Sequence, residues 1–274
     1  DKAKKRAVID ICLANNVEIL NVPSPTDWIN GEFTSKQIKK IHIEDLLGRE
    51  SINLDPERLS DEFNHKTILV TGAAGSIGSE IVRQLVQYSP EKIILLDQAE
   101  SPLYNLQVEL KEKGLLHLTE TVIGDIRNYE RLENVFKTLK PDYIFHAAAY
   151  KHVPLMENNP SEAIITNVLG SKNLVDLSLK YNVERFVLIS TDKAVNPTNV
   201  MGCSKRIAEI NAQSANQLGQ TKFITTRFGN VLGSNGSVIT LFKKQIENGG
   251  PLTVTDKRIT RFFMTIPEAC QLVL

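Results

Sequence analysis

Cysteine is scarce in this sequence: Cys12, Cys203 and Cys270 are the three present, and no two stand at CxxC or metal-site spacing. A disulfide framework is therefore excluded, and the pattern fits reduced thiols in a cytosolic setting. No second histidine or cysteine lies at ligand distance from His146, so no metal site is expected. A net charge is missing as well, because 32 basic side chains face 32 acidic ones without a long run of either sign. That excludes nucleic-acid binding through bulk charge. No apolar run approaches a membrane span, and no signal peptide is present. The chain starts without methionine and stops inside an apolar-periodic segment, ProGluAlaCysGlnLeuValLeu, so it reads as part of something longer.

What remains is a strict alternation of buried-strand runs and helix-period segments, which predicts an α/β fold built on a doubly wound parallel sheet. Residues 1–65 read as the tail of an upstream α/β unit plus a linker. Residues 2–15 have helical spacing, 18–22 form a short strand, and the stretch to His65 lies against the next domain. Residues 66–274 form the main domain, with a small carboxyl-terminal part from about residue 230.

The main domain opens on the strand ThrIleLeuValThr, then GlyAlaAlaGlySerIleGly, then a helix. Gly72, Gly75 and Gly78 make a GxxGxxG variant of the dinucleotide fingerprint, with Ala74, Ser76 and Ile77 between them. Glycine there permits the tight turn, the approach of backbone N–H groups to a pyrophosphate, and helix–strand packing. The next strand ends at Asp97, followed by Gln98; 97 − 78 = 19 positions separate the acid from the last glycine. An acid at that spacing accepts from the adenosine ribose 2′-OH and repels a 2′-phosphate, which predicts NAD over NADP. A third strand runs to Asp125 and Ile126; Asp125 suits either the adenine amine or the cap of the following helix. After the fourth strand, Ala147, Ala148 and Ala149 are small enough for a ribose to lie on the backbone, whereas His146 reads as a hydrogen-bonded core histidine. Asn167 falls on the apolar face of a long helix, Ser161 to Tyr181, and suits either a water or backbone partner or simple helix packing.

The strand ArgPheValLeuIle leads to Ser190–Lys205, the most chemically loaded stretch of the chain. Thr191, Asp192 and Lys193 emerge together at a strand's carboxyl end, the edge where open parallel sheets bind ligands. Met201 and Lys205 follow on one helical face. Downstream, Arg258 and Arg261 match a diphosphate as well as they match solvent.

Together, ThrGlyAlaAlaGlySerIleGly, HisAlaAlaAla, SerThrAspLys and the MetxxxLys pair resemble the extended short-chain dehydrogenase/reductase family, a Rossmann fold. Within it they resemble the nucleotide-sugar 4,6-dehydratases of bacterial polysaccharide synthesis, over about residues 66–274. The resemblance implies NAD as cofactor and a UDP-sugar, UDP-N-acetylglucosamine, as substrate. It implies Thr191, Asp192, Lys193, Met201 and Lys205 as catalytic positions. Lys151, His152, Asn199, Asn230, Ser237, Arg258 and Arg261 are the implied substrate contacts. It further implies a homo-oligomer paired through the helices around Asn167 and Lys205. In the long, membrane-anchored members, transmembrane helices precede the catalytic domain on the cytoplasmic side of the inner membrane. The family's usual TyrxxxLys is departed from at Met201, which has no proton to exchange. Methionine there goes with retention at C5. The implied mechanism oxidises C4, eliminates water across C5 and C6 with Asp192 as acid and Lys193 as base, and reduces C6. Two rival functions are a UDP-sugar 4-epimerase and a non-catalytic nucleotide-binding module.

Overall fold

The computed structural model describes residues 11, 20–21, 39–40, 56–234, 238–254, 256, 258 and 260–274. The chain divides into two compact units, Asp1–Ser51 and Ile52–Leu274. Of the first, the described strand Leu20–Asn21 pairs antiparallel with Lys39–Lys40. Of the helix expected over residues 2–15, Ile11 is described and is helical; the other positions and the loop that follows residue 22 lie outside the described residues.

In the second unit, six strands form one parallel sheet: β1 (Thr67–Thr71), β2 (Lys92–Asp97), β3 (Thr119–Ile123), β4 (Tyr143–His146), β5 (Arg185–Thr191) and β6 (Lys222–Phe228). Their spatial order is β3-β2-β1-β4-β5-β6, so the sheet is doubly wound, with its order reversing between β1 and β4. The four central strands β1, β2, β4 and β5 are apolar runs because both faces are covered, whereas the edge strands β3 and β6 are more polar and partly exposed; the buried side chains divide with period two. Ile68, Val70, Ile93, Leu95, Phe145 and Val187 enter one core, whereas Leu69, Ile94, Leu96, Ile144, Phe186 and Leu188 enter the other.

Helices α1 (Pro56–Phe63), α2 (Ser76–Leu85) and α3 (Glu100–Glu112) close the first core. The second is closed by α4 (Tyr129–Leu139), the carboxyl half of α6 (residues 160–180) and α7 (Val200–Ala215). Short or peripheral helices among the described residues include α5 (Val153–Asn158), α8 (Val238–Glu247) and α9 (Ile266–Gln271). Helix α1 comes from the stretch read as linker, yet it buries Leu59 and Phe63 in the first core. Its Glu62 pairs with Arg185 at 2.9 Å at the amino edge of the sheet.

Two elements differ from the expected pattern. Helix α6 widens into a π segment at Ile164–Gly170. Within it, Ser171 Oγ donates to the Asn167 carbonyl at 2.6 Å, and Gly170 leaves room for Ile126. In sequence, PheIleThrThrArgPheGlyAsnValLeuGly (223–233) reads as one strand ending in a polar turn, but β6 ends at Phe228. Past Gly229 the chain leaves the sheet, and β7 (Asn230–Val231) pairs in parallel with β8 (Phe263–Met264). This change of partner carries the carboxyl-terminal segment over the carboxyl ends of the central strands.

Candidate active site

The first turn of the sheet is shaped by glycine. Gly72 has φ +69, and a Cβ on it would stand 2.6 Å from the Ala148 nitrogen. The Gly75 amide donates to the Gly72 carbonyl at 3.0 Å, and α2 then begins with no side chain capping it. Asp97, at the end of β2, braces the turn: its Oδ2 accepts the Ala74 amide at 2.9 Å and its Oδ1 accepts the Ala99 amide at 2.9 Å. Each oxygen keeps a lone pair for a further donor. A helix start left uncapped by any side chain, a glycine cradle and an acid at the second strand's end fit a dinucleotide.

From this turn a cavity of about 870 Å³ extends across the carboxyl ends of β1, β4 and β5. Its lining includes Gly72, Gly75–Gly78, Ala147, Ala149, Lys151, His152, Thr191, Lys193, Met201, Lys205, Asn230 and Arg261. Thr191 ends β5, and a tight turn over Asp192–Ala194 follows it. The Thr191 hydroxyl donates to Asp192 Oδ1 at 2.9 Å and accepts from the Lys193 amide at 3.3 Å. Lys193 Nζ donates to Asp192 Oδ1 at 3.0 Å and to Asn230 Oδ1 at 3.4 Å. Burial pushes the Asp192 carboxyl up, but the Lys193 and Thr191 bonds outweigh it and hold the group below the usual aspartate range. Asp192 is therefore a carboxylate in this arrangement.

Helix α7 packs so closely on that turn that a Cβ at Gly202 would meet the Lys193 carbonyl at 2.3 Å. Lys205 is 5% exposed, and burial brings its amine down to about 8 against the pull of Glu209. Met201 is buried with Met156 and Ala163.

Behind the cavity lies a polar chain. Thr71 Oγ1 is 2.7 Å from His146 Nδ1, and His146 Nε2 is 2.9 Å from Ser171 Oγ. Because Ser171 gives its proton to the Asn167 carbonyl, it accepts from Nε2–H, and Thr71 donates to Nδ1. Burial first, and Lys205 second, hold His146 down at about 3, so it is the neutral core histidine expected. Asn167, fully buried, accepts from the Tyr150 amide at 2.8 Å and donates to the Tyr150 carbonyl at 3.0 Å and to Ser204 Oγ at 2.9 Å. Of the alternatives for Asn167, backbone support is the one observed. Asn167→Asp keeps the acceptor but loses both donations. It is expected to lower stability by about 2 kcal/mol, seen as a fall in melting temperature.

Other expected positions fall differently. Asp125 pairs with Arg127, whose Nε lies 2.7 Å from its Oδ2, and the cap of α4 is Asn128 instead. Ile126 is buried, and Gln98 is exposed beside Asp97. Asn199 caps α7, accepting the Gly202 amide at 2.8 Å, and does not line the cavity. The arginine pair is split: Arg261 lines the cavity, whereas Arg258 is exposed and held by Asp256 at 2.7 Å. Ser237 lies outside the described residues.

One cluster escaped the sequence reading. Glu209, one turn beyond Lys205 and fully buried, accepts from Arg227 Nε at 2.8 Å and from Arg206 Nη1 at 3.0 Å. It ties α7 to β6 and so fixes the helix that carries Lys205. Helical spacing from Lys205 was its only signal in the sequence, since Arg227 comes from another element.

A family model described as "Polysaccharide biosynthesis protein" matches residues 68–274. The chain is 53% identical over 266 residues to the capsular polysaccharide biosynthesis protein CapD of Staphylococcus aureus, covering 96% of this chain and 44% of that one. It is 38% identical over 217 residues to a UDP-N-acetylglucosamine 4,6-dehydratase (inverting) of Campylobacter jejuni, covering 77% and 63%. It is 39% identical over 219 residues to a UDP-glucose 4-epimerase of Rickettsia canadensis, covering 77% and 62%. Among solved structures, the dTDP-glucose 4,6-dehydratase DesIV (double mutant) of Streptomyces venezuelae, with NAD and DAU bound, superposes with TM-score 0.66 at 25% identity, covering 75% and 70%. The chain thus spans less than two thirds of the length of these curated relatives.

Proposed function

Because the chain belongs to the polysaccharide biosynthesis protein family, within the extended short-chain dehydrogenases/reductases, we propose that it carries the catalytic site of a UDP-N-acetylglucosamine 4,6-dehydratase. The observation that carries this reading is the turn after β5, where Thr191 and Lys193 line the cavity and Lys193 pairs with Asp192 at 3.0 Å, with Met201 where a dehydrogenase keeps a phenol. An acid and a base side by side suit an elimination, whereas simple alcohol oxidation needs one proton acceptor.

NAD is the cofactor; bound, it takes up the hydrogen and electron pair of C4 and returns them to C6. Gly72–Gly78 and the start of α2 hold its pyrophosphate, Asp97 its adenosine ribose, and Ala147–Ala149 give it a flat backbone wall. Lys205, an ammonium below about pH 8, holds the nicotinamide ribose and makes the C4 hydroxyl more acidic. Thr191 hydrogen-bonds the C4 oxygen, Lys193 handles the C5 proton, and Asp192, ionised at rest, must take up a proton before it protonates the departing C6 hydroxyl. Asn230 positions Lys193, and Arg261 and Lys151 offer positive charge to the sugar diphosphate. Met201 supports retention at C5, although the Campylobacter jejuni relative is named as inverting. The sugar serves bacterial polysaccharide or glycan synthesis.

A second reading, 4-epimerisation, is favoured by the relative named UDP-glucose 4-epimerase. Product mass separates the two. The dehydratase product of UDP-N-acetylglucosamine is lighter by one water and carries a ketone, and a product of unchanged mass would sink the dehydratase reading. Ile164, Ile165 and Leu169 on α6 and Ile207 and Ile210 on α7 stay exposed, which supports pairing with a second copy. Among the described residues no helix is long and apolar enough to cross a membrane. A place at the cytoplasmic face of the inner membrane is part of the proposal.

A further inference from the structure

We propose that Glu209 is a positioning residue for the reaction: it is the buried counter-charge that keeps Lys205 an ammonium while the site works, and Arg227 and Arg206 meter how much of that charge Lys205 feels. The inference rests on the dehydratase reading for what Lys205 does to the sugar. The coupling of the four charges belongs to the chain itself.

Lys205 and Glu209 stand one turn apart on the same face of α7, with Cβ atoms about 6 Å from each other. Glu209 is fully enclosed, and Lys205 is 5% exposed on the cavity wall. A charge so placed is costly unless an opposite charge lies close. The other elements packed around Lys205 supply no free one. Asp192, in the turn after β5, is taken by Lys193 at 3.0 Å, and His146 on β4 is neutral. Glu157 on α5 accepts the Val200 amide at 2.7 Å, at the opposite end of α7. On α6, Glu162 pairs with Arg127 at 3.1 Å and Asp176 with Lys172. Lys151 and Arg261 line the cavity as further cations. Among the described residues, that leaves Glu209 as the counter-charge.

Glu209 is itself held from the other side. Arg227 of β6 grips it with two bonds, Nε to Oε1 at 2.8 Å and Nη2 to Oε2 at 2.5 Å, and Arg206 Nη1 adds a third to Oε2 at 3.0 Å. Burial pushes the Glu209 carboxyl up, but the Arg227 bonds above all outweigh it and bring the group to about 2. Glu209 is therefore ionised wherever Lys205 titrates. The arginine side chains are 35% and 40% exposed, so water screens them, whereas the buried carboxylate acts on Lys205 with little screening. Removing the carboxylate leaves Lys205 facing cations alone. Removing an arginine releases carboxylate charge toward Lys205. The two changes move the Lys205 titration in opposite directions, which a cluster that only packs α7 against β6 would not do.

The test reads that titration directly. The protein is made with lysine carrying carbon-13 at Cε, and the Lys205 signal is identified by its loss in Lys205→Met. Its chemical shift is followed by NMR across about pH 6 to 11, with and without NAD. Wild type is expected to titrate near 8. Glu209→Gln, which keeps the size and an acceptor for Arg227, should lower the midpoint by about one pH unit or more. Arg227→Gln should raise it by about half a unit. The alkaline limb of kcat/KM for water loss from UDP-N-acetylglucosamine should move with the midpoint in each variant. Melting curves show which variants fold. If Glu209→Gln does not, the partly exposed Arg227→Gln and Arg206→Gln decide the matter by whether their midpoints rise. Midpoints that stay put while turnover falls at every pH, or that move the same way for Glu209 and Arg227, would overturn the proposal and leave Glu209 only a tie between α7 and β6. Midpoints that shift as expected in an enzyme releasing no water from the sugar would uphold the coupling and overturn the dehydratase reading instead.

Discussion

Gly78→Ala is expected to weaken NAD binding by at least about a hundredfold and to cost about 1–3 kcal/mol of stability. The Cβ would stand 2.1 Å from the Gly72 carbonyl oxygen and 2.9 Å from the Ala73 Cα, all of it backbone that no rotamer change can clear. The turn must therefore open, and with it the spacing between the start of α2 and the end of β1 that a pyrophosphate needs. Gly72→Ala should do comparable damage for two reasons, its φ of +69 and the Ala148 nitrogen at 2.6 Å. Gly75→Ala is the control: its nearest neighbour would be the Gly72 oxygen at 3.2 Å, so a small shift relieves it. Calorimetric titration with NAD and thermal unfolding of the three variants check this ranking. Equal affinities across all three would remove the argument from close packing.

Lys205→Met should change activity and stability in opposite directions. The variant keeps the apolar stem and loses the charge, so turnover is expected to fall about a thousandfold. Its melting temperature should rise at neutral pH. Burial lowers the Lys205 amine from 10.5 to about 8, a depression of about 3 kcal/mol in favour of the neutral form. The sign follows from proton counting. At pH 7 both folded and unfolded chains hold the proton, so the folded state carries the full cost of a buried ammonium. As pH rises from about 8 to 10.5, the folded protein sheds the proton first and the cost disappears. The variant's stability advantage should therefore be largest below pH 8 and fade across that window, while wild-type kcat/KM falls above about 8. Parallel melting curves and pH–rate profiles measure both. A variant less stable than wild type at pH 7 would mean that the ammonium has a compensating partner.

The sheet was legible because its central strands are apolar runs that need cover on both faces, as in ThrIleLeuValThr and LysIleIleLeuLeu. The glycine turn and the ThrAspLys turn were legible for a local reason: their chemistry lies within a few residues of a strand end. What escaped depends on pairing across the chain. Nothing near Gly229 announces that the strand stops there, because the cause is the carbonyl of Phe262, to which the Asn230 amide bonds at 3.1 Å. Asp125 suited a helix cap as well as an adenine amine; Asn128 sits one residue ahead of α4 and takes the cap, and Asp125 pairs with Arg127. Arg258 and Arg261 are close in sequence yet fall apart in the fold, since Asp256 holds the first and the second lines the cavity. Glu209 was the least visible, as its job is defined by an arginine on a neighbouring strand.

The most direct test of the central claim is to supply UDP-N-acetylglucosamine carrying deuterium at C4 and to locate the label in the product by NMR. An internal 4,6-dehydration predicts a product lighter by one water, with a ketone at C4 and the deuterium in the C6 methyl group. Deuterium returned to C4 of an isomer of unchanged mass would contradict that claim and make the site an epimerase.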